Sequence, residues 1–151
     1  MAAPQLAYPS TRYAPSPLVD LTARAERERL SPSALRAFFN IVDRWQVRDE
    51  DARALLGGVS NGTYYEWKKC PEGARNARVL DPDTLLRVSY LVGIFKALHI
   101  LHGEALADEW VRLPNANPIF GGQPPLAYMR RGGIPALQTV RRLLDARRGG
   151  R

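Results

Sequence analysis

Gly57 to Lys69 reads GGVSNGTYYEWKK: a glycine pair, a small hydroxyl residue, then an aromatic run closing on two lysines. Its neighbours decide what it is. Asp49 to Leu56 predicts a short helix, with acids in the first turn where they suit the positive end of the helix dipole. Gly57-Gly58 ends that helix, since glycine takes the left-handed backbone of a helix stop without steric cost. Ser60 predicts the cap of a next helix from about Asn61 to Lys69. Two short helices about a tight turn are the parts of a helix-turn-helix, whose second helix enters the major groove. Ala54 is small where the two should cross, Val59 plugs the core, and Tyr64 and Trp67, three apart, anchor the second helix inward. Asn61, Gly62, Thr63, Tyr65, Glu66 and Lys68 are left pointing outward. Asn and Thr can read base edges, while cations sit on phosphates. The candidate DNA-binding residues are therefore Ser60, Asn61, Thr63, Tyr65, Lys68, Lys69, Arg75 and Arg78. The opposing reading is a structural helical hairpin, because residues 48–69 hold four basic and four acidic side chains. Phosphate neutralisation supplies most non-specific affinity, so a binder this neutral is expected to act as a dimer on paired half-sites. On pattern alone both readings stay open.

Upstream, Ser31-Pro32 predicts a helix start, a hydroxyl cap followed by proline at the first helical position. Leu35, Phe38, Phe39, Val42 and Trp45 then recur at helical spacing on one face. Residues 1 to about 19, rich in Pro, Ser and Ala, read as a flexible arm, and Asp20 to Leu30 as an exposed charged helix. Downstream, residues 70–80 (CPEGARNARVL) read as a loop. Asp81-Pro82 repeats the cap-then-proline signal and opens the longest helix, to about His102. Only Arg87, Ser89, Gly93 and Lys96 interrupt its apolar surface, so it should be buried on several sides.

Glu104 to Leu113 predicts a further helix with Leu106, Trp110 and Leu113 on one side. PNANPIFGGQPP, residues 114–125, is too rich in proline and glycine for regular structure. Pro125 to Arg130 is a short helix, Gly132-Gly133 breaks it, and Pro135 starts the last one. There Leu137, Val140, Leu143 and Leu144 face inward and Arg141, Arg142 and Arg148 outward. No strand-like alternation occurs. The expected fold class is all-α, with an arm and charged helix in residues 1–30, a helix-turn-helix bundle in 31–80, and a central helix with a small helical domain in 81–151.

A chain of 151 residues with 45% hydrophobic side chains can bury a real core. One cysteine, Cys70, excludes an internal disulfide and fits a reducing cytoplasm. The start lacks the basic and apolar regions of a secretory signal. Leu85 to Leu101 is apolar but carries Arg87 and Lys96, which favours a core helix over a membrane span. The formal charge is +7, and between Arg130 and Arg151 seven arginines face one acid, Asp145. The basic excess is thus a property of the C-terminus, away from the helix-turn-helix, which points to two partners. His99 and His102 lack a third metal ligand nearby. Cys70 lacks a paired base. No metal, cofactor or catalytic constellation is expected, and the chain reads as a non-enzyme.

One set of residues is more specific. Trp110, Leu113-Pro114-Asn115, Asn117-Pro118, Phe120-Gly121-Gly122, Pro124-Pro125-Leu126, Met129, Gly132-Gly133 and the leucine-rich helix ending Arg147-Arg148-Gly149-Gly150 together resemble the toxin-binding domain of the Xre/MbcA/ParS antitoxins. GGVSNGTYYEWKK and Leu80-Asp81-Pro82-Asp83-Thr84 are similar to the Xre-like half of the same proteins, so that the resemblance spans roughly residues 34–150. It implies a type II antitoxin whose partner is a RES-domain toxin that destroys cellular NAD. The C-terminal part would block the toxin's active site, and the protein would bind its own promoter. The expected toxin-binding residues are Trp110, Pro114, Asn115, Asn117, Phe120, Gly121, Gly122, Tyr128, Arg130, Arg131, Arg147 and Arg148.

A stiff Pro/Gly loop loses little entropy on docking, and Trp110, Phe120 and Tyr128 are the aromatic types that anchor interfaces. The competing readings place Trp110 in the protein's own core, give the glycines a purely geometric role, and leave the last arginines solvated. As whole-protein alternatives, a stand-alone transcription regulator dimerised by its C-terminal region would bind DNA without a partner. An adaptor would hold a protein and no DNA. Self-association, at least to a dimer, is expected because the central helix is apolar nearly all round.

Overall fold

The computed structural model describes residues 19–69 and 78–149, and among them only helices and turns form. Six helices follow in order: α1 Arg24–Arg44, α2 Asp49–Leu55, α3 Asn61–Lys69, α4 Pro82–Leu101, α5 Glu104–Glu109 and α6 Pro125–Arg148. Single 3-10 turns at Trp110–Arg112 and Pro118–Phe120 join α5 to α6. The all-α expectation holds.

α4 is the pillar. Asp81 caps it by accepting from the Thr84 amide at 2.7 Å, and Pro82 occupies the first helical position. Its length and composition would suit a membrane span, yet Leu85, Val88, Leu91, Ile94, Ala97 and Leu98 are buried against the rest of the fold. α1 packs along one side and α6 along another. One continuous core joins Phe38 and Ile41 of α1, Trp45 at its C-cap, Leu55 of α2, Tyr64 of α3, the α4 residues, and Met129, Leu137, Val140 and Leu144 of α6. The N- and C-terminal halves therefore share their hydrophobic stabilisation, about 1.5–3 kcal/mol for each large side chain removed from water.

Four local expectations are corrected. Ser31 starts nothing: α1 runs unbroken through Ser31-Pro32. The Ser31 hydroxyl is fully buried, donates to the Arg27 carbonyl at 2.5 Å and accepts from the Leu80 amide at 2.9 Å. Pro32 costs the helix the amide donor to the Glu28 carbonyl, while the Ser31 hydroxyl, bonded to the Arg27 carbonyl, ties α1 to the chain entering α4. Along α5 and the 3-10 turn that follows it the inward residues are Ala107 and Val111, whereas Leu106 and Leu113 are exposed and Trp110 is half-buried. The 3-10 tightening at Trp110 turns the helical register, so a face drawn at helical spacing through Leu113 misses the core. Gly93 is buried, not part of a polar stripe, and a Cβ there would overlap the Arg141 guanidinium. Arg141, expected outward, instead lies half-buried across α4 at Gly93 and pairs with Asp145 at 2.9 Å.

The break expected at Gly132-Gly133 is present. Gly133 has φ 64° and ψ −149°, which splits α6 into a short first segment and a long second one. Only glycine adopts that region freely.

Candidate functional site

The helix-turn-helix is built as the spacing predicts. α2 stops at Gly57 and Gly58, both with positive φ, and the Gly58 amide donates to the Arg53 carbonyl at 2.9 Å. Arg53 Nε then donates to the Val59 carbonyl at 3.0 Å, which holds the turn closed. Ser60 caps α3 by accepting from the Thr63 amide at 3.2 Å, and its hydroxyl bonds the Thr63 hydroxyl at 2.9 Å. Tyr64 is buried against Phe39, with ring centroids 5.6 Å apart, and Trp67 packs half-buried on a second small cluster of Leu35, Leu80 and Leu85.

Asn61, Gly62, Glu66, Lys68 and Lys69 are exposed on α3 and Thr63 is half-exposed, as a recognition face requires. Tyr65 is corrected: it is half-buried and its hydroxyl donates to Asp49 Oδ2 at 2.7 Å. Asp49 Oδ1 takes the Tyr64 hydroxyl at 3.0 Å and the Lys68 ammonium at 2.8 Å. The Lys68 ammonium, helped by the two hydroxyls, holds the Asp49 carboxyl well below the usual carboxylate range, at about 2. Burial and the Asp49 carboxylate push Tyr64 up, and the same carboxylate pushes Tyr65 up. Arg78 is half-exposed and ion-paired to Glu66, so its charge is partly committed within the fold. Arg75 lies outside the described residues.

The C-terminal set divides. Phe120 is corrected from an interface anchor to a core residue, 4% exposed, with Trp110 edge-on at 6.0 Å and Tyr128 edge-on at 5.4 Å. Asn115 and Asn117 shape the loop: their side-chain oxygens accept the Asn117 amide at 2.9 Å and the Ile119 amide at 3.1 Å. Gly121 and Gly122 both have positive φ, which reverses the chain into α6. Arg130 is exposed and also pairs with the largely buried Asp51 of α2 at 2.9 Å, which fastens the C-terminal half to the helix-turn-helix. Pro114, Gly121, Gly122, Arg130, Arg131, Arg147 and Arg148 are exposed, and Trp110, Asn115, Asn117 and Tyr128 are half-exposed. Arg131 and Tyr128 share with Phe120, Gln123 and Ala127 a surface hollow of about 330 Å³.

Sequence reasoning missed three contributors. In the sequence Asp49 and Asp51 read as dipole acids, although each serves a partner beyond its own helix. Ile119, 40% exposed, was hidden inside a loop named for its prolines and glycines. Among the described residues no group of three or more His, Cys, Asp or Glu side chains could hold a metal ion.

Residues 23–93 match the profile of the antitoxin Xre-like helix-turn-helix domain, and residues 96–150 that of the antitoxin Xre/MbcA/ParS C-terminal toxin-binding domain. The chain belongs to the Xre/MbcA/ParS antitoxin family. It is also 40% identical over 120 residues to y4oB of Sinorhizobium fredii, described as an uncharacterized protein, covering 79% of this chain and 87% of that one. No solved structure matches. The boundary between the two family profiles falls within α4, so this antitoxin's two halves meet inside one helix rather than at a linker.

Proposed function

We propose that this antitoxin holds a NAD-depleting RES-domain toxin inactive by laying its C-terminal half over the toxin's catalytic cavity. On the same reading α3 binds the operator of its own operon, and the protein works in the cytoplasm as a dimer or larger assembly. The observation that carries the toxin half is the surface that residues 113–131 present. Leu113 and Ile119 are 42% and 40% exposed, Pro114 is exposed, and Arg131 stands at the rim of the Phe120–Tyr128 hollow. Apolar side chains held out on a loop fastened by Asn115 and Asn117 are already ordered for docking, which lowers the entropy cost of binding. Arg147 and Arg148, exposed at the far end of α6, offer charge for acids on the toxin.

Self-association has its own support. α1 and α4 leave an apolar groove of about 450 Å³ between Val19, Leu30, Ala34, Leu85, Leu86 and Val92, a surface a second copy can cover. Sedimentation as a monomer at micromolar concentration would remove the dimer from the proposal.

Growth rescue tests the toxin half. Truncation after Pro114 is a poor test, since it removes Met129, Leu137, Val140 and Leu144 from the shared core. Leu113→Glu with Ile119→Glu leaves that core intact and places two charges where the toxin should dock. Co-expressed with a RES-domain toxin from the same genome, the wild type should restore growth and the double variant should not. Rescue by a folded double variant refutes the docking surface. Failure of the wild type to rescue, with tight promoter binding, favours a transcription regulator instead.

A further inference from the structure

Asn61-Gly62 opens α3, and both residues are exposed. A Cβ at Gly62 would meet nothing within 4 Å, and among the described residues no bond holds the Asn61 side-chain amide. The Gly62 amide is one of the first four of its helix, which no intrahelical carbonyl takes. The capping hydroxyl of Ser60 is spent one residue further on, accepting from the Thr63 amide at 3.2 Å. The other described asparagines differ. Asn40 lies inside α1 and precedes the branched Ile41. The Asn115 oxygen is committed to the Asn117 amide at 2.9 Å, and Asn117 precedes Pro118, which has no amide hydrogen. We propose that Asn61-Gly62 is a self-modifying site: Asn61 deamidates, and the carboxylate it leaves ends operator binding. Its consequence for DNA rests on the DNA half of the proposed function.

The chemistry needs only base and water. The Gly62 nitrogen, its proton lost to base, attacks the Asn61 side-chain carbonyl carbon. A new C–N bond closes a cyclic imide, and the side-chain nitrogen leaves as ammonia, taking a proton back. Water then opens the ring at either carbonyl, giving aspartate or isoaspartate. In helical backbone the nitrogen cannot reach that carbon, so the first turn must open. Opening breaks the exposed Ser60–Thr63 bonds at 3.2 and 2.9 Å, and helix ends fray readily. The body of α3 stays in place, because Tyr64 is buried and Tyr65 and Lys68 are tied to Asp49 of α2. DNA lying on the first turn holds it closed, so operator-bound protein is protected while free protein ages. The product suits DNA poorly. An asparagine amide both accepts from and donates to an adenine edge, whereas a carboxylate only accepts. Its charge also takes residues 48–69 from neutral to net negative beside the phosphates. The fold itself tolerates an aspartate there, since a negative side chain suits the positive end of the helix dipole.

The test compares wild type, Gly62→Ala and Asn61→Asp. The first two are incubated for days in mildly alkaline buffer, alone, with excess promoter fragment, or with an unrelated duplex of equal length. Peptide mass spectrometry then reads residues 54–68, a tryptic fragment in which Asn61 carries the only side-chain amide. Fluorescence anisotropy follows promoter binding, and circular dichroism checks the fold. The fragment should gain the mass of an amide turned to an acid, faster than the fragment holding Asn115 and Asn117. Gly62→Ala should slow that gain severalfold by crowding the attacking nitrogen, and bound promoter should slow it where the unrelated duplex does not. Asn61→Asp should keep its helical spectrum and bind the promoter roughly tenfold or more weakly than fresh wild type. A fragment that stays unmodified, or full-strength promoter binding by Asn61→Asp, overturns the inference. If fresh wild type binds no promoter, the DNA half of the proposed function falls and the off-switch with it, even where the mass gain is seen.

Discussion

Gly133→Ala should destabilise the protein although it fills no occupied space. An added Cβ would meet only the tip of the Arg87 guanidinium, 3.9 Å away, which is ordinary contact. The cost lies in the backbone: φ 64° with ψ −149° is a region where an L side chain is strained by ~1–3 kcal/mol. Against this, alanine loses less entropy on folding than glycine, worth ~0.5–1 kcal/mol where the backbone is compatible. Strain wins, and the net loss should be roughly 1–2 kcal/mol. Gly62→Ala is the matched control, since Gly62 sits in α3 without positive φ and with open space around it. There only the entropy gain operates, so stability should rise by ~0.5 kcal/mol. For a chain of this size each kcal/mol moves Tm by about 2–4 °C. Thermal melts should therefore place Gly133→Ala several degrees below wild type and Gly62→Ala slightly above it. A Gly133→Ala protein melting at or above the wild type would refute the kink as a strained, glycine-only joint between the two segments of α6.

Ser31→Ala should lower unfolding free energy by about 1–3 kcal/mol in a denaturant titration, because it leaves the Leu80 amide without its acceptor. Leu137→Ala, at a fully buried site between α6 and α4, should cost about 2–5 kcal/mol by the same measurement. Acid should reveal Asp49: its folded carboxyl is held at about 2 against an ordinary 3.8, so its contribution is present above the ordinary value and lost as pH falls through the folded one. Screening at this partly exposed pair limits the effect to about 1 kcal/mol. Melts between neutral pH and pH ~2 should show Asp49→Asn lacking that share of the wild type's acid sensitivity.

Much of the fold is legible in the chain because short-range signals and the core agree. Asp81-Pro82 caps α4 and Ser60 caps α3 because in both places the following residues also have a face to bury. Ser31-Pro32 carries the same local signal as Asp81-Pro82 and does not cap. Its hydroxyl is claimed by the Leu80 amide, 49 residues away, and α1 continues past it. Such a claim has no trace in local pattern. Arg130 and Arg141 illustrate the same limit, since a run of arginines looks solvated until Asp51 and the bare backbone at Gly93 supply their places. In the sequence Phe120 and Tyr65 read as outward because loops and recognition helices expose aromatics, yet each has a tertiary partner. The family resemblance is legible because spaced Trp, Pro, Asn and Gly residues record turn geometry directly, while the docking surface is set by register. Leu113 and Ile119 became visible as exposed residues only once Ala107, Val111 and Phe120 had filled the core.

In the proposed function one protein obstructs another's catalytic cavity. Purified toxin should be titrated with this antitoxin while NAD consumption is followed directly. Activity should fall in step with complex formation and be abolished at saturation, with Leu113→Glu/Ile119→Glu leaving it intact. Undiminished NAD consumption by toxin that is fully bound would contradict it.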